Sequence, residues 1–243
     1  MPGSAALNAG GRRPPGRRDL LLVGAGGFAR EAVEVVRAIN ERHPTWRLLG
    51  FLDDDAALHG TEVDGIPVLG DLAQIQRYPE ALVAVCIGNP GNYFSRKRVV
   101  RRLGLPPSRY ATLIHPSAVV PPTATIGPGS ILLALVVATT AIHVGAHVAM
   151  MPAVVLTHDD IVGDFATLGA GVQLAGRVHV GEGAYVGAGV NVREDCSVGA
   201  WALVGMGSLV TRNVPAGEVW HGTPARFRRA LEVPSDVEEK ATW

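Results

Sequence analysis

Residues 144–179, read in sixes, run VGAHVA MMPAVV LTHDDI VGDFAT LGAGVQ LAGRVH. The same spacing holds without a slip from Ile114 to Pro215, over seventeen units. Each six opens on a large apolar residue, from Ile114, Val120, Ile126 and Leu132 to Val204 and Val210, and only Ala138 is small. The fifth residue is small or β-branched (Ala118, Val136, Ala166, Val190, Val214), with one exception, Asp160. The second residue is Gly in eight units, among them Gly127, Gly145, Gly163 and Gly205. Helices repeat every ~3.6 residues and strands every ~2, so neither gives this period.

A fixed six-residue repeat predicts a solenoid of hexapeptide coils, a parallel β-helix. Each six is one short strand and one corner, and three sixes close a triangular coil. Side-chain alternation points the first and fifth residues inward. Gly is expected where a corner needs unusual backbone angles. Seventeen sixes make between five and six coils, stacked on one continuous core over residues 114–215.

Composition narrows the class. Lys and Arg number 22, as do Asp and Glu, so no basic footprint for a nucleic acid is expected. Apolar residues make up 47% and aromatics 5%, which suits a rod filled with Val, Ile, Leu and Ala. Cys86 and Cys196 stand in unrelated contexts and are expected as buried thiols in a reducing cytoplasm. Neither has metal-ligand spacing around it, so no metal is expected. No apolar run reaches membrane-spanning length, so no membrane partner is expected. Residues 1–18, rich in Gly, Pro and Arg, are expected as a flexible tail and not as a signal peptide.

Residues 19–113 predict a small α/β domain. Asp19 to Gly24 is a buried strand, followed by Gly24-Ala25-Gly26-Gly27-Phe28-Ala29 and a helix from Arg30 to Asn40. Strand, glycine turn and helix open a Rossmann-like unit, where glycines admit a phosphate or ribose and the helix N-terminus favours anions. Leu48 to Leu52 is a second strand ending at Asp53-Asp54-Asp55. An acid at that point often holds a ribose or base. A third strand from Leu82 to Ile87 ends at Gly88-Asn89-Pro90, a basic helix spans Ser95 to Leu103, and a last strand spans Tyr110 to Ile114. The glycine turn alone fits NAD, a nucleotide-linked substrate, or a merely structural turn. Four strands are few for a full dinucleotide fold. After the rod, residues 216–243 form an extension, with a short helix expected from Arg226 to Glu232.

The coils hold His143, His147, His158 and His179, and a histidine on a corner is by default a solvated surface group. His158 differs. It is the third residue of its six, on a corner, and Asp159 and Asp160 follow it. A rule broken once, beside a His–Asp pair, points to a functional site. A neighbouring carboxylate orients an imidazole and supports it as a general base.

The phrases GAGGFAREA (24–32), GFLDDD (50–55), GIPVLGD (65–71), CIGN (86–89), IHPSAVV (114–120), THDDIVGDF (157–165) and HGTPAR (221–226) together resemble one family. It is the bacterial sugar O-/N-acyltransferase family of the left-handed β-helix superfamily, which includes sialic acid O-acetyltransferases and nucleotide-aminosugar N-acetyltransferases. The resemblance covers residues 19 to 228. It implies a homotrimer with active sites in the clefts between subunits, acetyl-CoA as co-substrate, and a small-molecule sugar acceptor. It assigns the base to His158 with Asp159 as its acidic partner, and thioester contact to the Gly176 amide. Gly205 and Met206 match positions along the pantetheine arm, and Thr167 matches a histidine that approaches CoA. Gly24, Gly26, Gly27, Phe28, Asp53, Asp54 and Asn89 match the nucleotide-holding positions, with Met151 at the acceptor.

The sequence departs from this pattern at several points. Phe28 stands where many relatives carry His, Met151-Pro152-Ala153-Val154 replaces an Asn-Thr-Gly-Ala phrase, and Thr157 replaces a Glu before the base. The acceptor pocket is therefore expected to be more apolar. Acyl transfer to a non-sugar molecule and a non-catalytic hexapeptide scaffold remain as alternatives. A nucleotidyltransferase is disfavoured by the short N-terminal domain.

Overall fold

The computed structural model describes residues 16–238. Most of the expected N-terminal tail and the last five residues lie outside that range.

Five strands and two helices build the N-terminal domain: β1 (Arg18–Val23), α1 (Gly27–Arg42), β2 (Trp46–Leu52), β3 (Glu62–Val63), β4 (Ile66–Pro67), β5 (Leu82–Val85) and α2 (Ser95–Leu103). The main sheet is parallel, in the order β2-β1-β5. That order is Rossmann-like, with α1 as the crossover after the glycine turn. The last expected strand is divided. Tyr110 makes one bridge to Val83, whereas Leu113–Ile114 pairs with Ile131–Leu132 in the rod. The chain leaves the α/β sheet at this point because Leu113 and Ile114 already carry the hexapeptide register.

Three parallel sheets form the rod. In each, a residue pairs with the one a full coil ahead, as in Ala149↔Thr167, Val155↔Gln173 and Ile161↔His179. The three sheets are named here by one outward residue each: the Thr167 face, the Gln173 face and the His179 face. From Leu132 to Val210 every first residue is buried, and from Ser130 to Val214 every fifth residue is too, Asp160 included. Their side chains form one continuous core.

Glycine plays two parts. From Gly129 to Gly207 the fourth residue of each six is left-handed, at five glycines as expected but also at Leu135, Ala153, Asp159, Phe165, Arg177 and Trp201 among others, with φ near 60°. The second-residue glycines do not have it. They are required because coils touch there: a β-carbon on Gly163 would lie 2.7 Å from the Glu182 amide nitrogen. Backbone meets backbone, so no side chain fits.

A second correction concerns the extension. Residues 226–230 are strand, not helix: Ala225–Ala230 pairs antiparallel with Glu218–Gly222, which continues the Thr167 face past Leu203–Val204. Trp220 and Ala225 close the end of the rod core. A single helical turn follows at Ser235–Glu238.

The N-terminal domain covers the Thr167 face. Phe28, Ala29 and Val33 share a core with Leu113, Ile131 and Ala149. α2 presses its cations into this joint. Arg96 Nη2 donates to the carbonyls of Phe165 (2.7 Å) and Ala166 (3.1 Å) and to Thr167 Oγ1 (2.7 Å). Lys97 Nζ donates to Glu182 Oε1 (2.5 Å) and the Val237 carbonyl (2.6 Å). These charge-assisted bonds offset the desolvation of two buried cations. Tyr93 stacks on Phe94 and donates its hydroxyl to the Trp201 carbonyl at 2.8 Å. His147, expected at the surface, lies beneath this joint between Tyr110 and Phe165, and burial pushes its pKa down to about 3.

Candidate active site

The corner between the Gln173 and His179 faces carries His158 and Asp159. Asp159 takes the left-handed fourth position (φ 64°), which a short polar side chain tolerates better than most. Its carboxylate oxygen Oδ2 lies 2.8 Å from His158 Nδ1, and both side chains are about half exposed. The backbone here is held from both sides. Asp159 N–H donates to the Thr140 carbonyl (3.1 Å), and Arg177 N–H donates to the His158 carbonyl (2.9 Å). With Nδ1–H given to the carboxylate, Nε2 is the free acceptor.

Gly176 lies one coil above. A β-carbon there would overlap Nε2 and Cε1 of His158, so the imidazole occupies the space a side chain would take. Further along the same edge, Arg177 makes a bidentate ion pair with Asp195 (2.6 and 2.9 Å), which holds the Asp195 carboxyl below the usual range. Asp160 points inward and is fully buried. Its Oδ2 accepts from Thr157 N–H (2.9 Å) and its Oδ1 from Val178 N–H (2.8 Å). Burial pushes its carboxyl up to about 6.

Met151, Gly205 and Met206 meet elsewhere, on the corner between the Thr167 and Gln173 faces. They line a groove of about 370 Å³ with Tyr185, Leu203 and Pro90 of the N-terminal domain. Its walls are largely apolar, and Met206 is 77% exposed. His221, the start of HGTPAR, packs against Gly205. Within one chain the Gln173 face separates this groove from His158. A trough of about 390 Å³ runs along that face, lined by Thr157, Gln173, Asn191 and Arg193 among others. Thr167 joins neither. It is buried beneath α2 and bonded to Arg96.

The N-terminal candidates cluster at the carboxyl edge of the parallel sheet. Gly24 has φ 95°, and a β-carbon on it would press on the Cys86 carbonyl at 3.0 Å. Gly26 caps α1 without a side chain, and the space at Gly26 and Gly27 is open. Asp53 is committed locally: Oδ2 accepts from Ala25 N–H (2.8 Å) and Oδ1 from Asp55 N–H (2.9 Å), tying the glycine turn to the end of β2. Asp54 pairs with Arg102. Asn89 Oδ1 accepts from Gly91 N–H at 2.8 Å, shaping the loop that leads to Pro90. Phe28 is buried against Gly88. Arg96 and Tyr185 were not singled out beforehand; the basic run of α2 hinted at Arg96, and nothing marked Tyr185.

Both cysteines are buried, and burial pushes the Cys86 thiol far up. Among the described residues no cluster of three or more His, Cys, Asp or Glu could hold a metal ion, and no helix is long and apolar enough to cross a membrane.

A rod of sixes, an α/β domain docked on one face and a His–Asp corner define a hexapeptide-repeat acyltransferase. Known proteins agree. Residues 19–103 match the family described as the PglD N-terminal domain. GDP-perosamine N-acetyltransferase of Escherichia coli O157:H7 is 31% identical over 157 residues, covering 64% of this chain and 69% of that protein. UDP-N-acetylbacillosamine N-acetyltransferase of Bacillus subtilis (strain 168) is 34% identical over 119 residues, which are 48% of this chain. The match spans about half the length of the Bacillus relative (52%). The crystal structure of PerB from Caulobacter crescentus, in complex with CoA and GDP-perosamine, superposes with a TM-score of 0.76 at 29% identity, covering 87% of this chain and 97% of that one. The chain therefore belongs to the sugar N-acetyltransferases of the hexapeptide-repeat family, and the rod is a left-handed β-helix.

Proposed function

We propose that the chain moves an acetyl group from acetyl-CoA to an amine of a nucleotide-linked amino sugar, with His158 as general base. One observation carries this reading: His158 has Nδ1 bound to Asp159 and Nε2 placed under Gly176. Nε2 takes a proton from the acceptor amine as the nitrogen attacks the thioester carbonyl. Asp159 holds the ring's orientation and stabilises the imidazolium that forms. The Gly176 N–H is assigned to the developing oxyanion. The tetrahedral intermediate collapses, CoA leaves as thiolate, and the amide is released. Cys86 lies in the N-terminal domain and Cys196, two coils on, is buried in the rod core, so direct transfer needs no acyl-enzyme.

The names of the relatives favour an amine over a hydroxyl acceptor. Open space at Gly26 and Gly27, at the start of α1, suits the phosphates of a nucleotide. The apolar groove at Met151 and Met206 suits the less polar face of a sugar ring. The separation of the two corners supports the homotrimer that the resemblance implies: a second copy can bring its Met206 groove to the His158 corner of the first. The expected cytoplasmic location agrees with a CoA-dependent reaction.

A thiol-release assay tests the reading. Wild-type protein with acetyl-CoA and a panel of nucleotide-linked amino sugars should release CoA with at least one acceptor. Release no faster than the blank across the panel contradicts it.

A further inference from the structure

We propose that Asp160 is a positioning residue for His158: its carboxylate takes the Thr157 N–H out of the coil-to-coil ladder and ties the His158 corner to the Gly176 corner. This rests on the reading of His158 as the base.

The ladder shows what is unusual. In neighbouring sixes the second-residue N–H donates to a carbonyl one coil ahead. Thr139 does so to Leu156 (3.1 Å), Gly163 to Val180 (2.7 Å) and Ala175 to Val192 (3.0 Å). By this pattern Thr157 belongs to the Leu174 carbonyl. Its N–H turns inward instead, to Asp160 Oδ2. The fifth-residue N–H of the next coil is drawn in as well: Val172 and Ala184 donate within their own corners, whereas Val178 donates to Asp160 Oδ1, as Val148 does to Ser130 Oγ. One carboxylate therefore holds the amide just before His158 and an amide two residues past Gly176. The Thr157 hydroxyl oxygen, next to His158, is buried without a hydrogen-bond partner, a further sign that the corner has left the standard arrangement.

Two other fifth residues are polar, and both are serines. Ser130 bridges Val148 N–H and the Gly145 carbonyl, and Ser208 bridges Gly222 N–H and the Gly205 carbonyl. A hydroxyl can both donate and accept, so it repairs a corner at little cost. A carboxylate only accepts, and ionised in an apolar core it is expensive. The register would accept Val here, as it does at Val178 one coil on and at Ile142 one coil back. The charged groups facing this corner are His158 and Asp159 on the same turn, Arg177 one coil on and Asp195 two coils on. Reshaping the turn that carries His158 is the gain that explains an inward acid.

The test compares Asp160→Val and Asp160→Ser with wild type. Both should keep the far-UV signature and an unreduced Tm. In Asp160→Val, kcat should fall roughly 10²-fold, the cost of a misplaced reacting group. KM for acetyl-CoA should hold. Asp160→Ser keeps one acceptor and should fall between, and it carries the test if the Val variant does not fold. The NMR shifts of the two ring nitrogens of His158 should show that the Val variant loses the preference for the Nδ1–H tautomer that Asp159 holds. Wild-type kcat with an unchanged tautomer overturns the proposal. If wild-type protein transfers no acetyl group to any acceptor, the functional reading falls by itself. The tautomer then decides the positioning claim, and an unchanged one defeats it.

Discussion

Gly176 and His158 share one space: the imidazole ring lies where a β-carbon on Gly176 would be. This places the acceptor nitrogen of the candidate base beside a backbone amide from the next coil. In Gly176→Ala the ring must swing away, because its corner is held by the backbone bonds of Asp159 and Arg177. The expected result is a kcat loss of roughly 10²-fold with retained secondary structure. Full activity in this variant would mean that the seat of the ring is immaterial.

The two kinds of corner glycine should respond differently to Ala. Gly163 sits where coils touch, and overpacking against backbone costs about 1–3 kcal/mol. Gly171 sits at the left-handed fourth position with open space around it, and Ala153 and Ala141 already occupy that position elsewhere. Urea denaturation should find Gly163→Ala the more damaging of the two. The reverse order would contradict the account of the coil contacts.

Asp160 gives stability a specific pH dependence. Its carboxyl is raised from an ordinary 3.8 to about 6 in the folded state, chiefly by burial. The folded form therefore holds the proton more tightly than the unfolded one. The stability this contributes is complete below about 3.8 and is lost as pH rises through about 6. Asp160→Val removes the effect. Its stability relative to wild type should rise between pH 4 and pH 7, by up to about 3 kcal/mol. Denaturation curves at those two pH values check it, and a constant difference refutes it.

Arg96 fastens the N-terminal domain to residues 165–167 through three acceptors. Arg96→Met leaves the two carbonyls and the Thr167 hydroxyl without that donor, at a cost on the order of 2 kcal/mol. Pro90 reaches the groove from the loop just before α2, so loosening the joint should raise KM for the acceptor more than KM for acetyl-CoA. Equal changes in both would separate the joint from acceptor binding.

The rod was legible because its pattern checks itself. Seventeen sixes with apolar first residues admit one register, and burial follows it from Leu132 to Val210. His158 stood out through its neighbour Asp160, the one charged residue at an inward position. The purpose of Asp160 was not legible, since it depends on amides of Thr157 and Val178 brought together only by coiling. The role of the second-residue glycines was missed for a similar reason: Gly163 meets Glu182 across coils, not along the chain. The left-handed fourth position was only partly marked: Gly171, Gly183 and Gly207 hold it, but Leu135, Phe165 and Trp201 adopt it without glycine. Residues 226–230 carry Arg and Ala, which suit a helix, but pairing with Glu218–Gly222 overrides that preference. His147 and Thr167 looked accessible until the domain that covers them was in place.

The central claim is that His158 is the base, and one comparison tests it most directly. Wild-type protein and His158→Ala are assayed for thiol release with acetyl-CoA and the best nucleotide-linked amino sugar from the panel, with folding of both confirmed by circular dichroism. The account predicts that the variant keeps its fold and loses roughly 10²–10⁴-fold in kcat, the usual contribution of a positioned base. A folded His158→Ala protein turning over at the wild-type rate would contradict it.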